Sequence, residues 1–332
     1  MNTQLPLSTD KRLVWADALR GLLILLVVLG HSLQHGDYEN RLSWNIIYSF
    51  HMAAFFMISG YVNYKSEFSY TTLKKRAVQL LLPFLTWTLL NAALSPSFTD
   101  SLVSVVLRPD NSYWFIYVLF VITLIHMLLT KLSKALGVNN LYLVGGGIIF
   151  LTGLMVIFNW RILGFQFIAY YFTFYAIGHF IRLHELHFTK QRALLMGFLW
   201  LGLALFWRMH SVPLPLQGIT FIPDNILTYG YRFLTAVVGS LFCIGAAQHL
   251  FQSKSTLICR VLCYLGTISL GIYIIHLFIG RFFGHWFINL FPSDTCLTYV
   301  CVNFTLKLFI SLCGILIIKR IPILSILFLG KK

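Results

Sequence analysis

Long apolar runs recur from one end of the chain to the other, and no other feature constrains its fold as strongly. Each run of about 20 residues can cross a hydrocarbon core of about 30 Å as an α-helix. Only 11% of the 332 residues are charged, whereas soluble domains average about a quarter. The sequence therefore predicts an all-α, polytopic membrane protein that forms a single domain over 1–332. We place ten spans at 16–35, 44–63, 77–95, 112–130, 140–158, 166–183, 193–211, 226–249, 262–281 and 298–318.

The distribution of lysine and arginine predicts how these spans are oriented. With the N-terminus inside, 18 of the 25 basic residues fall at inner ends and inner loops. Because basic residues favour the cytoplasmic side, this asymmetry predicts two cytoplasmic termini, with tails at 1–15 and 319–332. The N-terminal residues show no signal-peptide pattern, so we expect the first helix to be retained. The formal charge of +15 then reflects topology, and no nucleic acid partner is expected.

The first predicted span carries ionisable residues at a regular spacing. Arg20 and His31 are eleven residues apart, which corresponds to three helical turns plus about 20°, so they share one face about 16 Å apart. Asp17 precedes Arg20 by three residues and can pair with it. Charged groups at membrane depth usually face a polar cavity or a partner, so these residues predict a channel entered from the cytoplasm. The alternatives are that Arg20 snorkels to the interface and that His31 bonds a neighbouring helix.

Histidine is a suitable proton acceptor for chemistry at this depth. Its ordinary pKa near 6.5 lets it take and return a proton near neutral pH. None of the ten acidic residues falls in the middle of a predicted span, which argues against paired-carboxylate catalysis and a carboxylate relay. The six cysteines complete no zinc pattern, so no metal site is expected.

The spacing from Arg20 to His31 resembles that of the acyltransferase 3 family, multi-span enzymes that O-acylate cell-surface glycans. The stretch "FHMAAFFMISGYV" at 50–62 resembles the second-helix signature of the family, and "KKRAVQLLLPFLTW" at 74–87 resembles its basic inner loop. The stretch "YWFIYVLF" at 113–120 resembles its aromatic fourth helix. The matches extend over most of the chain, which resembles the short members without a C-terminal hydrolase-like domain.

The resemblance implies a membrane O-acyltransferase with acyl-CoA as its donor substrate and no bound cofactor. The acyl group, acetyl by default, would pass from the cytoplasm to a hydroxyl of a cell-envelope polysaccharide or a lipid-linked glycan precursor. The implied location is a bacterial inner membrane, with membrane lipid and the glycan acceptor as partners. The family's arginine and histidine fall on Arg20 and His31. His31 would act as general base or form an acyl-histidine, and Asp17 would position Arg20.

The basic inner loop is the expected docking site for the phosphates of CoA. The family's pair of arginines falls on Arg76 and Gln79, and Gln79 departs from the pattern because it has no charge. Lys74 and Lys75 are candidate substitutes, and Arg20 can hold the pyrophosphate. The alternative is that these cations only fix the topology.

Four further side chains are candidate acceptor contacts. Ser59 is a candidate oxyanion or substrate contact, and the alternative is close packing of small residues. His51 begins the second-helix signature at 50–62 near the outside and is a candidate acceptor contact, with an interfacial histidine as the alternative. Trp114 can stack on a sugar ring or anchor the interface. His276 shares a helix face with Ser269, and the alternative for both is bonding between helices.

Two cations, Arg232 and Lys307, lie within predicted spans. Arg232 is a hypothetical contact for an anionic acceptor such as a diphosphate-linked lipid. Two rival functions use the same features. One is a transporter or flippase for a glycan or organic anion, against which the missing mid-span carboxylates count. The other is an inactive scaffold relative, which Gln79 favours.

Overall fold

The described part of the chain is helical, which confirms the predicted all-α class. The computed structural model describes residues 13–34, 41–107, 113–158, 160, 162–253, 255–290 and 297–331. The α-helices in these ranges are α1 (Val14–Gln34), α2 (Leu42–Tyr48), α3 (His51–Val62), α4 (Tyr70–Arg76), α5 (Leu82–Ala93), α6 (Phe98–Leu107), α7 (Trp114–Leu136), α8 (Asn140–Phe158), α9 (Phe165–Leu183), α10 (Lys190–Phe206), α11 (Asp224–Leu250), α12 (Leu257–Thr267), α13 (Ser269–Leu290), α14 (Leu297–Lys319) and α15 (Pro322–Leu329).

Six of these segments are long and apolar enough to cross a membrane. They are α1, α2 with α3, α7, α8, α11 and α14. The pair α12 and α13 is bent by 71° and would make a seventh span if it crosses as one unit. The predicted spans at 77–95, 166–183 and 193–211 are not among these segments. The first falls on the 12-residue α5 and the irregular turn before it, the second on the 19-residue α9 and the third on the 17-residue α10. The described residues therefore support six or seven spans, and ten remains a prediction.

A π-helix over Ala77–Leu81 joins α4 to α5 without a break in the helical path. Pro83 follows directly in the first turn of α5 and has no N–H to donate to the carbonyl of Gln79, four residues earlier. The backbone widens at the turn where that hydrogen bond is missing. The predicted span at 77–95 therefore opens with an irregular turn.

Burial divides the bundle into central and peripheral helices. In the apolar window of Leu42–Val62, 78% of the residues are buried, whereas in the window of Asn140–Phe158 only 6% are. Helix α3 therefore lies at the centre, next to α1. Helix α8 exposes large apolar side chains, as a surface in contact with lipid tails requires.

Helices α3 and α9 pack with their backbones in contact. A Cβ atom on Gly60 would overlap the carbonyl oxygen of Tyr175, and one on Gly178 would overlap the carbonyl oxygen of Met57. Small residues allow this approach inside membranes. Gly60 therefore serves packing, whereas its neighbour Ser59 borders a cavity described below.

The C-terminal segment, predicted as a cytoplasmic tail at 319–332, contains one further helix. Its apolar sequence "PILSILFL" forms α15, which packs against α5 because it can bury Leu329. The indole Nε1 of Trp87 donates to the carbonyl oxygen of Phe328 at 3.0 Å. Gly330 ends the helix with a φ of 64°, in the left-handed region that glycine adopts without strain. At the other end of the chain, α1 begins at Val14. Residues 1–12 of the predicted N-terminal tail lie outside the described residues.

Candidate active site

A cavity of about 130 Å³ lies beside α1, between α3, α7 and α13. Arg20, Ile24 and Val27 of α1 border it, and His31 follows them at the spacing of one helix face. The cavity therefore follows this face from Arg20 toward His31. We call the two ends of the bundle the Arg20 end and the His31 end. The other residues that line the cavity are Met52, Phe55, Ser59, Leu80, Phe115, Leu119, Ser269, Leu270 and Tyr273.

Arg20 is held by the neighbour that the sequence predicts. Its Nη1 lies 3.8 Å from Oδ1 of Asp17. The side chain of Asp17 is 6% exposed, whereas that of Arg20 is 28% exposed. The backbone of Asp17 packs against Gly266 of α12, where a Cβ atom would overlap its carbonyl oxygen. The buried carboxylate thus fixes a guanidinium that still reaches the cavity.

His31 lies beside a second histidine from another helix. The ring centroids of His31 and His276 are 5.3 Å apart. His276 is fully buried, and its Nδ1 lies 2.8 Å from the carbonyl oxygen of Ile272. A carbonyl only accepts, so Nδ1 carries the proton and Nε2 is an acceptor in the neutral ring. Within the described residues this Nε2 has no hydrogen-bond partner.

A lysine from α14 completes the group around His31. Lys307 is 1% exposed, and its Nζ donates to the backbone carbonyl oxygen of His31 at 3.4 Å. Gly280 of α13 lies beside the ammonium, since a Cβ atom there would be 3.7 Å from Nζ, an ordinary contact distance. The sequence signal for Lys307 was a charge inside an apolar run, but its contact with α1 was not predicted.

Tyr48 connects His51 to His31. The ring centroid of Tyr48 lies 6.5 Å from that of His31 and 5.0 Å from that of His51. His51 is buried, and its Nδ1 lies 2.6 Å from the carbonyl oxygen of Ile47. The structure therefore places His51 near the candidate site, with Tyr48 between it and His31. Tyr48 was missed because it lies in an aromatic segment without a recognisable motif.

Ser59 and Trp114, the two remaining candidate contacts for the acceptor substrate, lie in different surroundings. Ser59 lines the 130 Å³ cavity beside α1, which we call the Arg20 cavity, and its hydroxyl donates to the carbonyl oxygen of Phe55 at 2.7 Å. Trp114 is half-buried and stacks on Phe167 with a centroid distance of 4.5 Å. Its ring also lies 5.5 Å from that of Tyr171. Trp114 thus belongs to an aromatic cluster of the protein itself.

The basic loop lies at the Arg20 end but does not line the cavity. Lys74 and Lys75 are exposed in the last turn of α4. Arg76 Nη2 donates to Oδ1 of Asn63 at 2.6 Å and also to Oγ of Ser66 at 3.0 Å. Its Nη1 donates to Oε1 of Gln79 at 3.3 Å. Arg76 is thus tied to the end of α3 and to Gln79, whereas Leu80 of the same segment reaches the cavity.

An ion pair joins the loop before α4 to the end of α7. Nζ of Lys134 lies 2.5 Å from Oε1 of Glu67. The hydrogen bond from Lys134 and its positive charge hold the pKa of the exposed Glu67 carboxyl below its ordinary value. The Arg20 end therefore has exposed lysines, and the negative charge of Glu67 is balanced by Lys134. This charge distribution favours anionic ligands there.

Comparison with known proteins gives one family and two named relatives. A family model described as an acyltransferase domain matches residues 13–320. A "Nodulation protein NolL" of Mesorhizobium japonicum is 34% identical over 145 residues, which cover 39% of this chain and 39% of that protein. A "Nodulation protein NolL" of Sinorhizobium fredii is 35% identical over 145 residues, with coverage of 39% and 38%. The chain thus spans less than half the length of these curated relatives. No solved structure matches it.

Proposed function

The chain belongs to the acyltransferase 3 family, and from this premise we propose that it is an O-acyltransferase that moves an acyl group from acyl-CoA to a hydroxyl of a saccharide. One observation carries the proposal. Arg20 and His31 lie on a single face of α1, with a cavity along that face and a cluster of His276 and Lys307 at its far end. Positioned cations and a positioned proton acceptor are what acyl transfer from CoA requires.

The Arg20 end suits the donor. CoA carries several phosphates, and the exposed Lys74 and Lys75 offer point charges for them. Arg20 offers a planar fork that binds a pyrophosphate in two places. The pantetheine arm is long and thin, so the narrow cavity beside α1 can take it toward His31, about 16 Å further along the helix. Arg76 shapes this end through Asn63 and Gln79.

At the His31 end the acceptor hydroxyl meets the thioester. His31 takes the proton of the hydroxyl, and the oxygen attacks the thioester carbonyl carbon. The new C–O bond forms, the C–S bond breaks, and CoA leaves as a thiolate that regains the proton from the imidazolium. In the alternative route the ring nitrogen of His31 attacks the thioester carbonyl, the C–N bond forms, the C–S bond breaks, and CoA leaves as a thiolate. The acceptor oxygen then attacks the acyl carbon, the C–O bond forms, the C–N bond breaks, and the proton of the hydroxyl passes to the CoA thiolate.

The neighbours of His31 support either route. His276 has an acceptor nitrogen without a partner among the described residues, so it can receive a hydrogen bond from a bound hydroxyl. The ammonium of Lys307 lies at the last turn of α1 and adds positive charge near a developing anion. His51 acts at a distance through Tyr48, as a positioning residue.

Family membership supports the wider setting that we propose. The acceptor is a cell-envelope polysaccharide or a lipid-linked precursor, the acyl group is acetyl, and the membrane is the bacterial inner membrane with the Arg20 end on the cytoplasmic side. The exposed cations at the Arg20 end agree with that orientation.

Acetyl-CoA turnover in native membrane vesicles tests the proposal. Vesicles that contain the wild type, His31→Ala or His187→Ala at equal amounts are incubated with labelled acetyl-CoA, and label in the glycan fraction is followed with release of free CoA. We expect His31→Ala to lose at least about 100-fold in rate, because general-base catalysis typically contributes 10²- to 10⁴-fold.

The control is a histidine outside the site. His187 is exposed in the loop between α9 and α10, so His187→Ala should transfer acetyl at the wild-type rate. Equal transfer by the wild type and His31→Ala would remove His31 from the chemistry. CoA release without label in glycan would replace acyl transfer by hydrolysis.

A further inference from the structure

A cleft of about 850 Å³ with a mixed polar and apolar lining opens at the His31 end of the bundle. It lies between the first turns of α9, the first turns of α11 and the loop that follows α10. Its volume is within the range of about 300–1,000 Å³ typical of small-molecule sites. The residues that line it include Gln166, Tyr170, Tyr171, Asn225, Tyr229 and Arg232.

The lining of this cleft matches the surface of a saccharide. The tyrosines offer flat apolar rings on which the C–H faces of a sugar can stack. The side-chain amides of Gln166 and Asn225 offer both donors and acceptors for sugar hydroxyls. Thr228 adds a hydroxyl to the same wall. A cleft for an apolar ligand would not need this density of hydrogen-bonding groups.

The cleft leads toward His31. Three of its residues, Tyr170, Tyr171 and Arg232, also line a small cavity of about 20 Å³ beside Tyr48. The ring of Tyr48 in turn lies 6.5 Å from that of His31. The inner end of the cleft therefore points past Arg232 and Tyr48 toward the candidate base, which lies beyond the ring of Tyr48.

A guanidinium stands where the cleft and the small cavity meet. Arg232 lies 5.7 Å from the ring centroids of both Trp207 and Tyr229, and its Nη1 donates to the carbonyl oxygen of Met209 at 3.2 Å. It forms no ion pair with any residue in the described ranges. Asp224 also lines the cleft, but it is eight residues earlier on α11, about 12 Å along the axis. Among the residues that the structure describes, the positive charge at the inner end of the cleft therefore has no carboxylate partner.

We propose that this cleft binds the acceptor as an acidic saccharide, with the carboxylate or phosphate of the acceptor on Arg232 and a hydroxyl directed toward His31. The inference rests on the proposed acyl transfer for its meaning, but the binding itself needs neither acyl-CoA nor His31. Intramembrane arginines are retained where a ligand or partner uses their charge. The acidic group has two sources, a carboxylate on the sugar or the diphosphate of a lipid carrier.

Binding by the purified full-length chain in lipid nanodiscs, without acyl-CoA, tests the proposal. The probes are a glucuronic-acid tetrasaccharide, the same tetrasaccharide with its carboxyls reduced to alcohols, and a disaccharide joined by diphosphate to a short isoprenoid. Calorimetry gives the dissociation constants. We expect one acidic probe to bind at least about tenfold more tightly than the reduced probe, as expected for a hydrogen bond to a charged group. The probe that binds identifies the source of the charge.

Variants locate the charge. Arg232→Gln should weaken the acidic probe about tenfold or more and leave the reduced probe unchanged, whereas Arg232→Lys should restore part of the loss. Arg208→Gln removes a positive charge from the neighbouring loop, at a residue that does not line the cleft. It should leave the dissociation constants of the acidic and the reduced probe unchanged. Thr228→Trp fills the cleft and should weaken every probe, which provides a second variant if Arg232→Gln fails to fold.

Three results would overturn the proposal. They are binding of neither acidic probe, binding of both acidic probes no more tightly than the reduced tetrasaccharide, and equal losses in Arg232→Gln and Arg208→Gln. The binding assay contains no acyl-CoA, so its result does not depend on acyl transfer. Selective binding without acyl transfer would therefore refute the proposed function alone, and acyl transfer without selective binding would refute this inference alone.

Discussion

His31 lies in the last turn of α1, where backbone carbonyls begin to lack donors within the helix. Lys307 supplies a donor to the carbonyl of His31 from α14. Basic side chains near helix C-termini commonly do this and also interact favourably with the helix dipole. A single buried ammonium thus fixes the end of α1 and the position of the His31 ring beside His276.

We expect Lys307→Met to lower the turnover number of acetyl transfer about 10- to 100-fold, because a hydrogen bond to a charged group is typically worth 1.5–3 kcal/mol. The KM for acetyl-CoA should stay unchanged, since Lys307 lies at the far end from Arg20. Lys319→Met is the matched control, because Lys319 is exposed on the same helix. Equal turnover by the two variants would contradict a role of Lys307 at His31.

The candidate site divides into a part that the sequence predicts and a part that it does not. The shared face of Arg20 and His31 follows from the 100° turn per residue, and so does the ion pair with Asp17. The approach of His276 and Lys307 to His31 depends on how α13 and α14 rotate against α1. Packing of the folded chain sets that rotation, so no spacing within one helix encodes it.

At the scale of helices, α4, the π-helix and α15 meet at the Arg20 end. Gln79 accepts a hydrogen bond from Arg76 through its side chain. Its backbone carbonyl faces Gly330, where a Cβ atom would come within 2.5 Å of the oxygen. The end of α15 therefore packs closely against Gln79, the residue at which this chain departs from the arginine pair of the family.

We expect Gly330→Ala to lower the midpoint of thermal unfolding and to raise the KM for acetyl-CoA. Gly137→Ala is the matched control, because Gly137 has a φ of 65° and a Cβ atom added there would have no neighbour within 4 Å. Gly330 has a similar φ of 64°, but a Cβ atom added there would overlap the carbonyl group of Gln79. Both variants carry the left-handed strain of about 1–2 kcal/mol, and only Gly330→Ala adds the overlap. Equal midpoints and equal KM values for the two variants would contradict the coupling between α15 and Gln79.

Hydropathy predicted the six long apolar segments that can cross a membrane, whereas it did not predict the interruptions within the helices. The expected span at 44–63 is broken between α2 and α3, and the one at 262–281 is broken between α12 and α13. Neither break contains a proline, so the local sequence does not predict where these helices are interrupted. The segment 319–332 was predicted as a cytoplasmic tail from its basic residues, and the helix α15 within it was not predicted.

At the scale of the whole molecule, two openings approach the same histidine from opposite ends. The Arg20 cavity runs along α1 from one side, and the tyrosine-lined cleft with Arg232 approaches past Tyr48 from the other. Composition predicted a membrane bundle but could not predict this arrangement. It arises because α3, α9, α11 and α13 pack around α1, and their polar side chains meet only in the folded bundle.

The central claim is that donor and acceptor meet at His31 from opposite sides of the membrane. Inside-out native vesicles, which contain the natural glycan, are given labelled acetyl-CoA from outside and then an impermeant deacetylating esterase. We expect labelled glycan that resists the esterase until detergent opens the vesicles, and no label in vesicles with His31→Ala. Label that the esterase removes without detergent, or equal label with His31→Ala, would contradict the claim.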